Sequence, residues 1–270
     1  MSSTQETFQV TAEVAEAYEA HFVPAFFAQW APMLLDAAGV TAGQRVLDVA
    51  CGTGILARSA AARVGQSGSV VGVDLNEAML SVARRIRPDL DWRQGDAAAL
   101  PAGDAEFDVV LSQMAMMFFP DPTAALREMR RVTRPGGTVG VLVPGALADN
   151  PPYQAFVDIV TRHAGPDARN LVTTYFVLGD LAGLVQLFAD AGLRVTATSS
   201  PIGESRFGSI DELVNVEIDS TPLGDRLDPG ARERILSDCR AALASHRQDS
   251  GSVSFPFQRQ LIIAQDSVPT

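Results

Sequence analysis

With 270 residues, 47% of them apolar, the chain is long enough to bury a full core. Its formal charge is −11, from 21 basic and 32 acidic side chains. Nucleic acid and anionic membrane surfaces are therefore excluded as expected partners, because both call for basic patches. The two cysteines, Cys51 and Cys239, cannot build a disulfide framework, and no CxxC or Cys/His cluster suggests a metal.

Met1 to Val10 lacks the basic start and apolar core of a leader peptide. No uninterrupted apolar run approaches the roughly 20 residues that cross a bilayer, so the expected compartment is the cytoplasm. Residues 11–38 read as helical, because Val14, Ala17, Tyr18, His21 and Phe22 recur at steps of three and four. A second stretch, Ala25 to Ala38, carries Phe26, Phe27, Trp30, Met33, Leu34 and Leu35 before Gly39 ends it.

A different rhythm begins at Arg45. Short β-branched runs alternate with helical ones: Arg45–Val49 then Ile55–Val64, and Ser69–Val73 then Glu77–Arg87. Asp91–Gln94, Phe107–Ser112, a helix Thr123–Val132 and a strand Thr138–Val143 continue it. Strands alternating with helices pair in parallel through crossovers. Asp121-Pro122 supplies a cap and a first-turn proline, and Pro135-Gly136-Gly137 a tight turn. After Pro144 the pattern breaks, with a helix Tyr153–His163, a loop, a helix Asp180–Ala191 and a strand Arg194–Ser199. Residues 203–250 read as mostly helical, and Ser252–Gln265 as a last strand.

The expected fold is thus α/β: a Rossmann-like, doubly wound, mostly parallel seven-stranded sheet with an antiparallel edge strand and a helical cap. A single domain spans 1–270. Within it, 1–40 form N-terminal cap helices, 41–144 the cofactor-binding core, and 145–179 with 203–250 the substrate-cap insertions.

The chemistry sits in Val46-Leu47-Asp48-Val49-Ala50-Cys51-Gly52-Thr53-Gly54. A strand runs into a glycine turn and then a helix. Glycines there let a ligand approach the backbone, and the helix start offers free N–H groups. The next strand ends at Asp74, whose carboxylate can accept both hydroxyls of a ribose. Gly52-Thr53-Gly54-Ile55-Leu56-Ala57 formally satisfies the dinucleotide fingerprint. Asp48, however, would repel a pyrophosphate and suits a ligand with an ammonium and a sulfonium. Gly95-Asp96-Ala97, after the third strand, can read an adenine amine. Three acids at successive strand ends match a cationic nucleoside.

This segment resembles the class I S-adenosylmethionine-dependent methyltransferases, particularly the group related to ubiquinone and menaquinone methyltransferases. The resemblance is carried by Val46–Gly54, Val71–Leu80 (VGVDLNEAML), Gln94–Ala97 (QGDA), Leu100-Pro101, Phe107–Gln113 (FDVVLSQ) and Leu126–Gly137 (LREMRRVTRPGG). It implies S-adenosyl-L-methionine as cofactor and methyl transfer to a small molecule. Asp48 would then lie by the methionine ammonium, with Ala50, Gly52 and Gly54 as backbone wall. Asp74 would hold the ribose, Asn76 and Met79 would flank the adenine, and Asp96 and Ala97 would read its amine and ring nitrogen. Gln113 would face the methionine moiety. Ala50 stands where many relatives have glycine, which is tolerated if φ there is negative. Tyr18 is either a core tyrosine or an aromatic that closes over the cofactor. Cys51 reads as a small packed side chain rather than a nucleophile.

Met114-Ala115-Met116-Met117-Phe118-Phe119 follows the fourth strand and suits an apolar acceptor, with Met114 and Phe118 as substrate-side candidates. His21 and His163 are the histidines placed to face a substrate, and no catalytic base is assigned. An exposed cap face could pair two subunits as a homodimer. Two rivals stand beside this reading: a nicotinamide-dependent oxidoreductase, and a methyltransferase-fold cyclase or scaffold that binds the cofactor without methylating.

Overall fold

The computed structural model describes residues 10–219 and 223–266. The reading of Met1 to Val10 therefore lies, but for its last residue, outside the described residues. In chain order the chain forms α1 (Ala12–Ala17), a π-helix (Tyr18–Phe27), α2 (Ala31–Ala37), β1 (Arg45–Val49), α3 (Ile55–Val64), β2 (Ser69–Asp74), α4 (Glu77–Ile86), β3 (Asp91–Gln94), β4 (Phe107–Gln113), α5 (Pro122–Val132) and β5 (Thr133–Pro144). There follow α6 (Pro151–Thr173), α7 (Leu181–Asp190), β6 (Leu193–Ser199), β7 (Ile202–Phe207), α8 (Ile210–Asp219), α9 (Leu223–Arg226), α10 (Pro229–Ala242) and β8 (Val253–Asp266). Two compact units result, one from residues 1–143, 181–200 and 260–270, the other from 144–180 and 201–259.

The first unit is the Rossmann-like sheet, with strand order β3-β2-β1-β4-β5-β8-β6. β1 pairs in parallel with β2 on one side and β4 on the other, so the winding reverses between them. A crevice at the carboxyl ends of such strands is where α/β sheets bind ligands. The end of β8 runs antiparallel to the outermost strand β6, Ser199 opposite Leu261. The central strands are nearly continuous apolar runs because helices cover both faces. Val46 and Leu47 of β1 and Val109, Val110 and Leu111 of β4 are all buried. One face of the sheet packs on Trp30, Leu34 and Leu35 from around α2 and on Leu56, Ala60 and Val64 of α3.

Local chemistry sets the helix starts. Asp121 accepts from the Ala124 N–H at 2.9 Å before Pro122 opens α5, one residue earlier than the sequence reading. Asn76 does the same for α4, accepting from Ala78 at 2.9 Å.

In the second unit, α6 carries Tyr153 against Phe255 and Phe257, ring centroids 5.6 and 4.9 Å apart. The Tyr153 hydroxyl donates to Glu217 at 2.8 Å inside this core. Burial pushes the Glu217 carboxyl up to about 7, against the pull of that hydrogen bond.

Four elements differ from the sequence reading. The N-terminal helix is not α throughout: Tyr18–Phe27 winds as a π-helix with Pro24 inside it. In an α-helix, residues nine apart (27 − 18) are roughly 2.5 turns apart and on opposite faces. The wider i→i+5 turn returns them to one side, and the Tyr18 and Phe27 rings meet at 5.3 Å. The stretch 203–250 is not helical at its start, because β7 pairs antiparallel with the first half of β8. α6 does not end at His163. Gly165, at φ +83°, bends it, and Pro166 opens a further helical stretch to Thr173. β5 begins at Thr133 rather than Thr138, its Pro135-Gly136-Gly137 forming a bulge between the Phe107–Thr133 and Val109–Thr138 pairs. Among the described residues, no single helix is long and apolar enough to cross a membrane.

Candidate functional site

The turn after β1 is held to β2 by the Cys51 N–H, which donates to the Val73 carbonyl at 3.0 Å. Ala50, Gly52 and Gly54 all take positive φ: +55°, +54° and +88°. The negative φ expected for Ala50 is thus overturned. The left-handed conformation costs a non-glycine residue about 1–2 kcal/mol, which the surrounding bonds must offset.

The glycines are required for different reasons. A Cβ on Gly54 would stand 2.3 Å from the Trp92 ring, and one on Gly72 2.4 Å from it. Trp92, anchored by its indole N–H to the Arg87 carbonyl at 2.8 Å, fills the space beneath the turn. Gly54 is therefore required both by Trp92 and by its own φ of +88°. Gly52 faces Tyr18 instead, whose ring and hydroxyl lie 3.8 Å from where its Cβ would be. Tyr18 thus stands beside the glycine turn.

Asp48 is 1% exposed. The helix α3 starts on Gly54, which has no side chain to cap it, and Asp48 Oδ2 accepts from the Ala57 N–H at 2.9 Å in its stead. Burial lifts its carboxyl from the ordinary 3.8 to about 8; the Ala57 hydrogen bond opposes this, Asp74 adds repulsion and Arg58 attraction.

At the end of β2, Asp74 Oδ2 accepts from Gly52 N–H at 2.7 Å and Oδ1 from Asn76 N–H at 2.8 Å. Burial raises its pKa while those backbone donors pull it down. With the Leu75 backbone as a third donor among them, these bonds leave part of the carboxylate's accepting capacity for a hydroxyl. Asn76 is buried and spends Oδ1 on the start of α4, including the Met79 N–H at 3.4 Å. Leu75, between them, is an apolar residue left 45% exposed, which the sequence reading passed over. Its signal was a bulky apolar residue just past an acid at a strand end.

β3 pairs with β2 up to Asp74 and Gln94, which sets Asp96 two residues beyond that end. Asp96 Oδ1 accepts from the Ala98 N–H at 2.8 Å, fixing the loop that carries half-buried Ala97. At the end of β4, the Gln113 amide donates to the Phe27 carbonyl at 3.1 Å. Met114, buried and at φ +57°, continues the strand by donating to the Leu142 carbonyl at 2.7 Å. Met116 and Met117 are core residues, while Phe118 is half-buried.

His21 is exposed on the π-helix. His163 belongs to the second unit, its Nε2 2.8 Å from Asp238 Oδ2. Cys51 is buried, and burial first, then Asp48 and Asp74, push its thiol well above the ordinary range. Such a thiol packs rather than attacks. Among the described residues no group of three or more His, Cys, Asp or Glu could hold a metal ion.

A family model described as a methyltransferase domain matches residues 46–137. A demethylmenaquinone methyltransferase of Renibacterium salmoninarum is 40% identical over 136 residues, which is 50% of this chain and 54% of that protein. The UbiE ubiquinone/menaquinone biosynthesis C-methyltransferase of Edwardsiella ictaluri is 32% identical over 64% of this chain and 76% of its own length. Among solved structures, a methyltransferase-like protein of Bacillus halodurans superposes with TM-score 0.61 at 20% identity, over 88% of this chain and 99% of that one. The chain spans about half the length of the first relatives it matches, 54% and 49%.

The fold and the acid-bearing strand ends define a class I S-adenosylmethionine-dependent methyltransferase domain. The chain belongs to that family and resembles its ubiquinone/menaquinone type.

The family's cofactor fits what the site leaves open. Thr53 Oγ1, Asn76 Nδ2, Ser112 Oγ and Gln113 Oε1 are buried without a hydrogen-bond partner, and all four lie at the carboxyl ends of β1, β2 and β4. Buried polar atoms are rarely left so. A ligand carrying a ribose, an adenine and an amino-acid tail supplies donors and acceptors for such a set.

Proposed function

We propose that the chain transfers the methyl group of S-adenosylmethionine to a small apolar acceptor of the quinone, polyketide, terpenoid or lipid-like kind. What carries the reading is Asp74, held by Gly52 and Asn76 at the switch point of the sheet, together with buried polar atoms that lack partners at the ends of β1, β2 and β4. The cofactor, when bound, supplies an electrophilic methyl group on a sulfonium. The chain's part is to bind, align and exclude water. Asp74 holds the ribose and Leu75 backs the base, with Asp96 and Ala97 at its edge. Asp48 and Gln113 serve the amino-acid end, and Tyr18 covers the turn.

For the acceptor, Met114 and Phe118 follow the strand that carries Gln113, and their apolar surfaces favour an apolar molecule. The names of the quinone-modifying relatives support the same class. A base is needed only if the acceptor's own acidity requires one.

The test is incubation with methyl-labelled cofactor and a panel of hydroquinones, phenols, polar amines, protein and RNA. Label in an apolar product, with one S-adenosylhomocysteine per methyl, is the expected result. Label only in polar metabolites, protein or RNA would sink the acceptor class. Turnover of a substrate without cofactor consumption would establish the scaffold reading instead.

A further inference from the structure

Resting on the cofactor reading, a further role falls to an ion pair on the first unit. Arg58, in the first turn of α3, donates through Nη2 to Glu19 Oε1 at 2.7 Å and through Nη1 to the Thr53 carbonyl at 2.6 Å. Glu19 belongs to the π-helix and Thr53 to the glycine turn. The two charged side chains are 14% and 22% exposed, against 59% and 55% for the neighbouring Arg85–Glu16 pair. Surface pairs of the latter kind are worth little, whereas breaking a buried one strands a charge.

The π-helix needs such anchors. The i→i+5 winding is rare beyond single turns, and short helices are marginal alone. Within it the Tyr18 ring packs on Phe22 and Phe27 at 5.7 and 5.3 Å; among the bonds that tie it to the rest of the unit are the Gln113 amide on the Phe27 carbonyl and the Glu19–Arg58 pair. The pair is one residue from Tyr18, and its far end is bonded within the turn that Tyr18 covers.

We propose that Glu19 and Arg58 are positioning residues for cofactor binding: their ion pair clamps the π-helix to the Thr53 carbonyl and so holds Tyr18 over Gly52. Because the clamp holds the wall in place beside a bound ligand, it governs release more than entry. Related complexes generally differ in dissociation rate rather than association rate.

The experiment compares wild type with Glu19→Gln, Arg58→Met and the double variant E19Q/R58M. Two readouts are taken: stopped-flow dissociation of S-adenosylhomocysteine, and hydrogen exchange of the ligand-free protein. The single variants should release the ligand at least tenfold faster, with association changed less than threefold, and the double variant should release it no faster than Arg58→Met alone, because the two side chains act as one unit. Amides of residues 12–27 should exchange faster in the single variants while those of β1, β2 and β4 keep their protection. Unchanged release in the single variants, or unchanged exchange over 12–27, overturns the clamp. A wild type that binds no S-adenosylhomocysteine overturns the cofactor reading instead, and the exchange comparison still decides whether the clamp exists.

Discussion

The Gly52 N–H donates to Asp74 Oδ2 at 2.7 Å, joining the glycine turn after β1 to the end of β2 across 22 positions of sequence. The same carboxylate receives the Asn76 N–H at 2.8 Å. One side chain thus fixes the shape of the site and offers its remaining lone pairs to a ligand.

Substitution of Asp74 should therefore act on stability as well as on binding. Asp74→Ala leaves two backbone N–H groups without their acceptor, at about 1–3 kcal/mol for each that stays buried. Asp74→Asn keeps one acceptor oxygen. The expected order of stability in urea denaturation is wild type, then Asn, then Ala. Equal stability of all three would mean that the turn does not depend on this carboxylate.

Asp48 should make the ligand-free protein less stable as pH rises. Its folded carboxyl titrates at about 8 rather than 3.8, chiefly through burial. The folded state then holds a proton that the unfolded chain has released, so stability falls between about pH 4 and pH 8. Glu217, lifted from 4.5 to about 7, contributes with the same sign up to its own folded value. Between pH 7 and pH 8 the Asp48 contribution should remain, and Asp48→Asn should remove it while keeping an acceptor for Ala57. S-adenosylmethionine and S-adenosylhomocysteine both carry the ammonium that the proposed function sets beside Asp48, and a cation favours the ionised carboxylate, so affinity for both should rise toward pH 8 and Asp48→Asn should flatten both profiles. Wild-type profiles already flat between about pH 6 and pH 8 would contradict the placement of Asp48 near the ammonium.

The two turn glycines should separate by phenotype. Gly54→Ala drives a Cβ to 2.3 Å from Trp92 at φ +88° and should cost at least about 2 kcal/mol of folding stability. Gly52→Ala meets Tyr18 only at an ordinary 3.8 Å. It should cost about 1–2 kcal/mol of backbone strain and fall mainly on ligand affinity. Chemical denaturation beside ligand titration of both variants checks the contrast.

Cys51 should prove inert. Its buried, raised thiol should resist maleimide in the folded protein, and Cys51→Ala should retain methyl transfer. Abolished turnover in a folded Cys51→Ala chain would reopen a nucleophilic role.

Much of this site is legible in the order of the residues alone. β1, α3 and β3 have the bounds expected from their apolar runs, and Asp48, Asp74 and Asp96 fall at or near successive strand ends because strand–turn–helix punctuation is local. What escapes such a reading is set by tertiary packing. Nothing in the order Val49-Ala50-Cys51 announces a positive φ at Ala50, which the bond from Cys51 to β2 enforces. Part of the need for glycine at 54 comes from Trp92, 38 positions away (92 − 54). The steps of three and four around Tyr18 read as α-helix, and only the meeting of Tyr18 with Phe27 selects the wider turn. β7 escapes because Ile202 and Glu204 are exposed along a polar strand, which hides its alternation.

The most direct test of the cofactor site is calorimetric titration of wild-type and Asp74→Ala protein with S-adenosylhomocysteine, with NAD as control. Wild type should bind in the micromolar range, and the variant should lose about 2–4 kcal/mol, from two hydroxyls deprived of a charged acceptor. Binding of NAD with none of the sulfur nucleoside would contradict the site as described.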